Sequence, residues 1–134
     1  MYKKTLPPLS PEFCSLKEMF MKPQFIIGAA SSGSGKTTFT MGLLRALAHR
    51  GMRVQPYKCG PDYIDTQFHS LASKQVSVNL DTWLASEEHV RSLYHSYGKD
   101  ADVCTVEGVM GLYDGYSGMK GSSAAMAALL DIPV

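Results

Sequence analysis

The chain reads as an α/β protein, a parallel sheet with helices on both faces, on three observations. Short β-branched or apolar runs alternate with segments of helical periodicity. The first run passes through a glycine-rich turn directly into a helix, and the last clear run closes on a carboxylate, Glu107. A first, buried strand is expected over residues 24–28, with Phe25, Ile26 and Ile27 as its apolar centre. A helix follows from Phe39, with Phe39, Leu43, Ala46 and Leu47 on its inner face and Gly51 ending it. Residues 52–58 read as a second strand, and residues 59–69, with Gly60-Pro61-Asp62, as a loop running into a short helix. Ser86 suits a helix N-cap, followed by Glu87 and Glu88 where the helix dipole favours acids, with Val90, Leu93, Tyr94 and Tyr97 turned inward. Residues 103–106 form a third strand, and the four glycines within residues 111–121 predict a loop. Ser122 caps an alanine-rich helix ending near Asp131, and Ile132-Pro133-Val134 resembles the start of another buried strand. Three strands are fewer than the five or so of an average sheet, so a truncated domain is expected.

Residues 1–23, punctuated by Pro7, Pro8, Pro11 and Pro23, show no periodicity and read as an N-terminal extension that is poorly ordered; Met21 is an alternative start. Residues 24–134 then form one domain. The chain of 134 residues is long enough for a real core. Its 13 basic and 12 acidic side chains leave a net charge of +1, which gives no footprint for nucleic acid. No apolar run approaches the ~20 residues of a membrane span, and the first residues lack the apolar stretch of a signal peptide, so a cytoplasmic protein is expected. Cys14, Cys59 and Cys104 have neither CxxC nor zinc-ligand spacing. His69, His89 and His95 do not converge in spacing and read as surface or packing residues; Trp83 reads as core.

Residues 30–38 run Ala-Ser-Ser-Gly-Ser-Gly-Lys-Thr-Thr. Between a strand and a helix, this is the pattern of a phosphate-binding P-loop, with Ala30 in the place of the usual first glycine. The turn and helix N-terminus, through Ser32, Gly33, Ser34, Gly35, Lys36, Thr37 and Thr38, present backbone N–H groups to phosphate oxygens. Lys36 serves the β- and γ-phosphates and Thr37 a Mg²⁺ ion. A dinucleotide fingerprint fails, because Thr38 stands where its third glycine belongs. In a parallel sheet, ligand chemistry gathers at the carboxyl ends of the strands. The loops there carry Lys58, Asp62, Asp65, Glu107 and Asp114. Thr37 with one or two of Asp62, Asp65 and Glu107 suits Mg²⁺, which takes few protein oxygens and shares phosphate. Lys58 is either a second cation for the transferring phosphoryl group or a solvated strand end. Asp62 is either functional or a turn residue after Pro61, and Asp114-Gly115 alone is an ordinary turn dipeptide.

These motifs together resemble the cobyrinic acid a,c-diamide synthase family. The resemblance runs from about Phe25 to Val134. Its most specific stretches are residues 30–38, Lys58-x-Gly60-Pro61-Asp62-Tyr63-Ile64-Asp65 with Phe68-His69, Asn79-Leu80-Asp81, and residues 106–115. Gly121-Ser122-Ser123 matches a family loop in which threonine is commoner than Ser123. The resemblance implies a P-loop NTPase-like fold of the dethiobiotin synthetase type and an ATP- and Mg²⁺-dependent amide ligase. That enzyme phosphorylates two acetate carboxylates of a corrinoid and replaces phosphate by ammonia, drawn from glutamine in a separate C-terminal domain absent here. It implies Lys36, Lys58, Asp62, Asp65, Glu107 and Asp114 as catalytic, Thr37, Asp65 and Glu107 as metal ligands, and Asp62, Tyr63, Ile64 and Asp81 on the corrinoid side. The fragment alone is expected to be inactive, and a homodimer is compatible with it. Hydrogenobyrinic acid or nickel-sirohydrochlorin are alternative substrates. Cobyric acid synthase and dethiobiotin synthetase lack the residue 60–65 run. A ParA/MinD-like nucleotide switch usually carries an early P-loop lysine where this chain has Ser31.

Overall fold

A computed structural model describes residues 22–134; residues 1–21 of the expected N-terminal extension, with Cys14, lie outside the described residues. The elements are β1 (Gln24–Ile27), α1 (Lys36–His49), β2 (Val54–Cys59), α2 (Asp65–Ser73), β3 (Val78–Leu80), α3 (Glu87–Gly98), β4 (Val103–Glu107) and α4 (Ser123–Leu130). All pairings are parallel and the strand order is β1-β4-β2-β3. The chain therefore skips a place between β1 and β2, moves outward to β3, then returns to insert β4 into the gap. Ile27 stands opposite Glu107, Glu107 opposite Lys58, and Lys58 opposite Asn79, so the carboxyl ends of the strands meet in one row.

Period-two alternation divides the strands between two layers. Tyr57, Cys59, Cys104 and Val106 join Ile26, Leu80, Val90, Tyr94 and Met126 in a core under α3 and α4. Val54 and Val103 face the other way, against Leu44, Phe25, Leu47 and Ala72, under α1 and α2. The same alternation turns Lys58 and Glu107 to the α1–α2 side. Tyr57 donates its hydroxyl to the Tyr94 carbonyl at 2.6 Å, which satisfies the polar tip of a buried ring.

Most expected elements are present, and the differences have local causes. Helix α1 begins at Lys36, not Phe39, because Gly35 at φ 83° supplies the left-handed turn that starts it. Its inward face is then Thr40 and Leu44, while Phe39 is 61% exposed and Ala46 exposed, so the expected face is rotated by one residue. Helix α2 already starts at Asp65 within the expected loop. Strand β3 was not expected; Val76, Val78 and Leu80 alternate with Ser77 and Asn79, but an edge strand of three residues pairs only with β2. Ser86 and Ser122 cap α3 and α4 as expected, accepting from His89 N–H at 3.2 Å and Ala125 N–H at 3.1 Å. Trp83 is not core: it is 66% exposed and meets Tyr116 edge-on. Lys22 and Pro23, expected in the extension, contact the domain: Lys22 Nζ donates to the Gly98 carbonyl at 2.7 Å, and the Pro23 carbonyl accepts from Cys104 N–H at 3.0 Å. Pro133 runs beside β1, its carbonyl accepting from Ile26 N–H at 2.9 Å.

One packing defect is testable. The buried hydroxyl of Thr105 on β4 has no hydrogen-bond partner among the described residues. An unpaired buried hydroxyl forfeits its hydration, so Thr105→Val, equal in shape, should raise stability by about 1 kcal/mol. The check is the urea midpoint at unchanged m-value; a lower midpoint would mean that the hydroxyl has a partner.

Candidate functional site

The loop between β1 and α1 is built around two glycines. Gly33 and Gly35 have φ of 74° and 83°, a region that side-chain-bearing residues avoid, and a Cβ at either would meet nothing within 4 Å. The glycines are thus needed for backbone direction, and the face they leave open is free to approach a ligand. Ser34 Oγ ties the loop to the Ser31 carbonyl at 2.8 Å. At the other side of the site, Gly108 is held by close approach: its N–H donates to the Ile27 carbonyl at 2.9 Å, and a Cβ there would press on that oxygen and on Ser123. Ser123 Oγ accepts from Val109 N–H at 2.8 Å, so α4 anchors the loop that follows β4.

Between these loops lies a cleft of about 410 Å³. It brings together Ser32, Gly33, Gly35, Lys36, Thr37, Thr38, Lys58, Asp62, Asp65 and Glu107, most of the residues expected from sequence. Lys36 Nζ donates to the Met110 carbonyl at 2.6 Å and reaches the Ser31 carbonyl at 3.4 Å. Lys58 is 3% exposed, which removes the solvated-strand-end reading. Its ammonium lies 3.9 Å from both Asp62 Oδ2 and Asp65 Oδ2 and contacts the Gly108 carbonyl at 3.3 Å. A buried ammonium ringed by oxygens at these distances is a fixed positive charge at the mouth of the strands.

The Thr37 hydroxyl lies 2.6 Å from Glu107 Oε1 and 3.3 Å from Asp65 Oδ2. It has one proton to give and two carboxylates to face, so three oxygens converge with too few protons to satisfy them. A hard divalent cation fits that donor set, two carboxylates and a hydroxyl with room for phosphate and water. Asp62 organises the turn after Pro61, one of the two readings the sequence left open, and also faces the buried ammonium. Its Oδ1 accepts from Ile64 N–H at 2.9 Å and Asp65 N–H at 3.1 Å, which starts α2, while Oδ2 faces Lys58.

The two aspartates are driven apart electrostatically. Burial acts to raise Asp62, but the amides of Asp65 and Ile64, with Lys58, outweigh it and hold the carboxyl below its ordinary value. Burial, then the neighbouring Asp62 and Glu107, push Asp65 above its ordinary value against the pull of Lys58. Burial pushes the Cys59 thiol up to about 12, so it is no nucleophile at neutral pH.

Other expected residues fall elsewhere. Tyr63 and Asp81 line a neighbouring, more apolar cleft of about 420 Å³ along β3. Asp81 also accepts from Trp83 N–H at 3.0 Å, organising its own turn. Ile64 is exposed. Asp114 is outside the phosphate-side cleft, its carboxylate accepting from Gly111 N–H at 3.0 Å. Of the two readings of His69, surface or packing, burial removes the surface one, and the ring also meets a carboxylate: it is fully buried with Nε2 2.5 Å from Glu107 Oε2. The signal was the Asp65-x-x-x-His69 spacing, which puts both on one face of a helix.

A glycine turn at a helix N-terminus, an invading lysine and an oxygen cluster beside it define a P-loop nucleotide-binding domain. The chain belongs to the family described as CobQ/CobB/MinD/ParA nucleotide binding domain, which matches residues 25–131. It is 53% identical to the cobyrinate a,c-diamide synthase of Streptococcus sanguinis over 116 residues, which covers 83% of this chain and 25% of that protein. It is 50% identical to the cobyrinate a,c-diamide synthase of Dehalococcoides mccartyi over 114 residues, covering 84% and 25%. It is 49% identical to the hydrogenobyrinate a,c-diamide synthase of Streptomyces coelicolor over 114 residues, covering 84% and 24%. The chain thus spans about a quarter of the length of these relatives. No helix among the described residues is long and apolar enough to cross a membrane.

A carboxyl whose folded pKa is lowered contributes stability above its unfolded pKa and loses it as pH falls through the folded value. Asp62→Ala should therefore cost about 1 kcal/mol at pH 7, the worth of a helix-starting side chain. The cost should shrink on acidification below about pH 3.9. Denaturant unfolding of both proteins across that range checks it; a pH-independent difference would remove the charge from the explanation.

Proposed function

We propose that this chain is the ATP- and Mg²⁺-binding part of an enzyme that converts the a- and c-acetate carboxylates of cobyrinic acid to amides, with glutamine as nitrogen donor. The observation that carries the reading is the convergence of Thr37, Asp65 and Glu107 oxygens beside Lys36 and Lys58 in one cleft. The identity of about half the aligned residues, over 83–84% of the chain, to synthases of that name supports the substrate. On this reading residues 24–134 are a portion of the synthetase domain, and a C-terminal domain of the longer protein releases ammonia from glutamine. The protein works in the cytoplasm, where ATP is available.

A carboxylate resists attack by an amine until one oxygen becomes part of a leaving group. In the first step a substrate carboxylate oxygen bonds to the γ-phosphorus of ATP as the bond to the bridging oxygen breaks and ADP departs. In the second, ammonia's nitrogen bonds to the acyl carbon, phosphate leaves with the electron pair, and a proton is lost to give the amide. Positioning and electrostatics carry most of such a transfer. The N–H groups of residues 32–38 and the ammonium of Lys36 bind and orient the phosphates. Lys58 sets a positive charge against the negative oxygens of the transferring γ-phosphoryl group, and Asp62 holds Lys58 and the start of α2 in place. Thr37, Asp65 and Glu107 hold Mg²⁺, whose contribution when bound is charge neutralisation on the β- and γ-phosphates. Asp62, Tyr63, Ile64 and Asp81 flank the acceptor, with Asp114 ordering the loop after β4.

The test gives the full-length gene product ATP, Mg²⁺, glutamine and, in parallel, cobyrinic acid, hydrogenobyrinic acid or nickel-sirohydrochlorin, with products read by mass spectrometry. Two carboxyl-to-amide conversions on cobyrinic acid are expected, and both should be lost in Glu107→Gln. Amidation of another tetrapyrrole alone would reassign the substrate. ATP turnover with no tetrapyrrole changed would replace the synthase reading by a nucleotide switch of the ParA/MinD kind.

A further inference from the structure

We propose that His69 is a positioning residue for the metal carboxylate Glu107, an inference that rests on the reading of Glu107 as a Mg²⁺ ligand. Glu107 is 1% exposed and His69 is completely buried. The two oxygens of Glu107 are divided between two partners on two helices: Oε1 lies 2.6 Å from the Thr37 hydroxyl on α1, and Oε2 lies 2.5 Å from His69 Nε2 on α2. A carboxylate only accepts, so Nε2 carries the proton and donates. The other ring nitrogen, Nδ1, faces the Ser77 hydroxyl at 3.5 Å.

The backbone and loop around His69 are themselves tied down. Ser73 Oγ donates to the His69 carbonyl at 2.8 Å. Ser77 N–H donates to Ser70 Oγ at 2.9 Å, which sets the hydroxyl opposite Nδ1. Asp65, four residues before His69 on the same helix face, places Oδ2 3.3 Å from Thr37. One helix thus delivers a carboxylate to the site and a clamp to the carboxylate beside it.

Packing alone does not call for this pair. An apolar pair of similar volume fills such a space without the desolvation cost of a buried carboxylate and imidazole. What the pair adds is orientation: with Oε2 taken by Nε2–H, Glu107 cannot rotate, and Oε1 stays turned to Thr37. Partners of this kind that orient a metal's ligand typically change metal affinity or activity by about 10–100-fold when removed.

The experiment measures binding rather than turnover. Mn²⁺ is titrated by electron paramagnetic resonance into the full-length protein with ATP, for wild type, His69→Leu, His69→Gln, His69→Asn and Glu107→Gln. His69→Leu should weaken Mn²⁺ binding about 10–100-fold while ATP binding without metal is unchanged. His69→Gln, whose amide reaches the Nε2 position, should restore most of the affinity; His69→Asn, one bond short, should not. Should the leucine variant fail to fold, the Gln and Asn pair carries the test, and equal affinities in those two overturn the proposal. Unchanged Mn²⁺ affinity in His69→Leu, with loss in Glu107→Gln, overturns the positioning role and leaves the metal site standing. Unchanged affinity in Glu107→Gln as well removes the metal reading on which the proposal rests.

Discussion

The burial of one carboxylate governs the design of this domain. Glu107 ends the central strand β4 with almost no exposure, and a charge so placed must be fully partnered or it destabilises the fold. Its partners come from the first helical turn of α1 and from the middle of α2, so both helices must dock in one position on the sheet. That docking presents the glycine turn, Lys36 and Asp65 to the same cleft. The electrostatics of Glu107 and the geometry of the phosphate site are therefore one constraint.

Strand order makes this possible. Because β4 returns between β1 and β2, Glu107 comes abreast of Lys58 on one side and of Ile27, just before the glycine turn, on the other. The layer under α3 and α4 is largely apolar, and the hydroxyls of its two tyrosines are paired, Tyr57 with the Tyr94 carbonyl and Tyr94 with Gln24 Oε1. The layer under α1 and α2 changes along the strands from Val54 and Val103 at their starts to Lys58 and Glu107 at their ends. A single face thus packs at one end and lines the polar cleft at the other, and α2 is retained by both.

The P-loop, most strands and both serine caps were legible because each depends on local rules: period, turn chemistry and a side chain bonding three residues ahead. The inward face of α1 was misjudged by one residue because its start is set by the backbone angle of Gly35, which periodicity does not report. Strand β3 was missed because three residues at an edge carry little signal of their own and exist through pairing with β2. Trp83 illustrates the limit of composition: a large aromatic side chain stands exposed against Tyr116 because its turn is organised by Asp81, outside the core.

The sequence alone determined the P-loop pattern and which turn carries it, since its glycines, lysine and threonine lie together within residues 30–38 and their chemistry is local. It also marked Lys58, Asp62, Asp65 and Glu107 as candidates, because strand ends are readable. Only the tertiary structure decided which of them meet. Whether Lys58 is buried, whether Asp62 holds a cation or a helix start, and what sits behind Glu107 depend on strand order and on where α2 docks. The contacts of Glu107 join residues 38 and 70 positions apart, fixed by packing that no local pattern encodes.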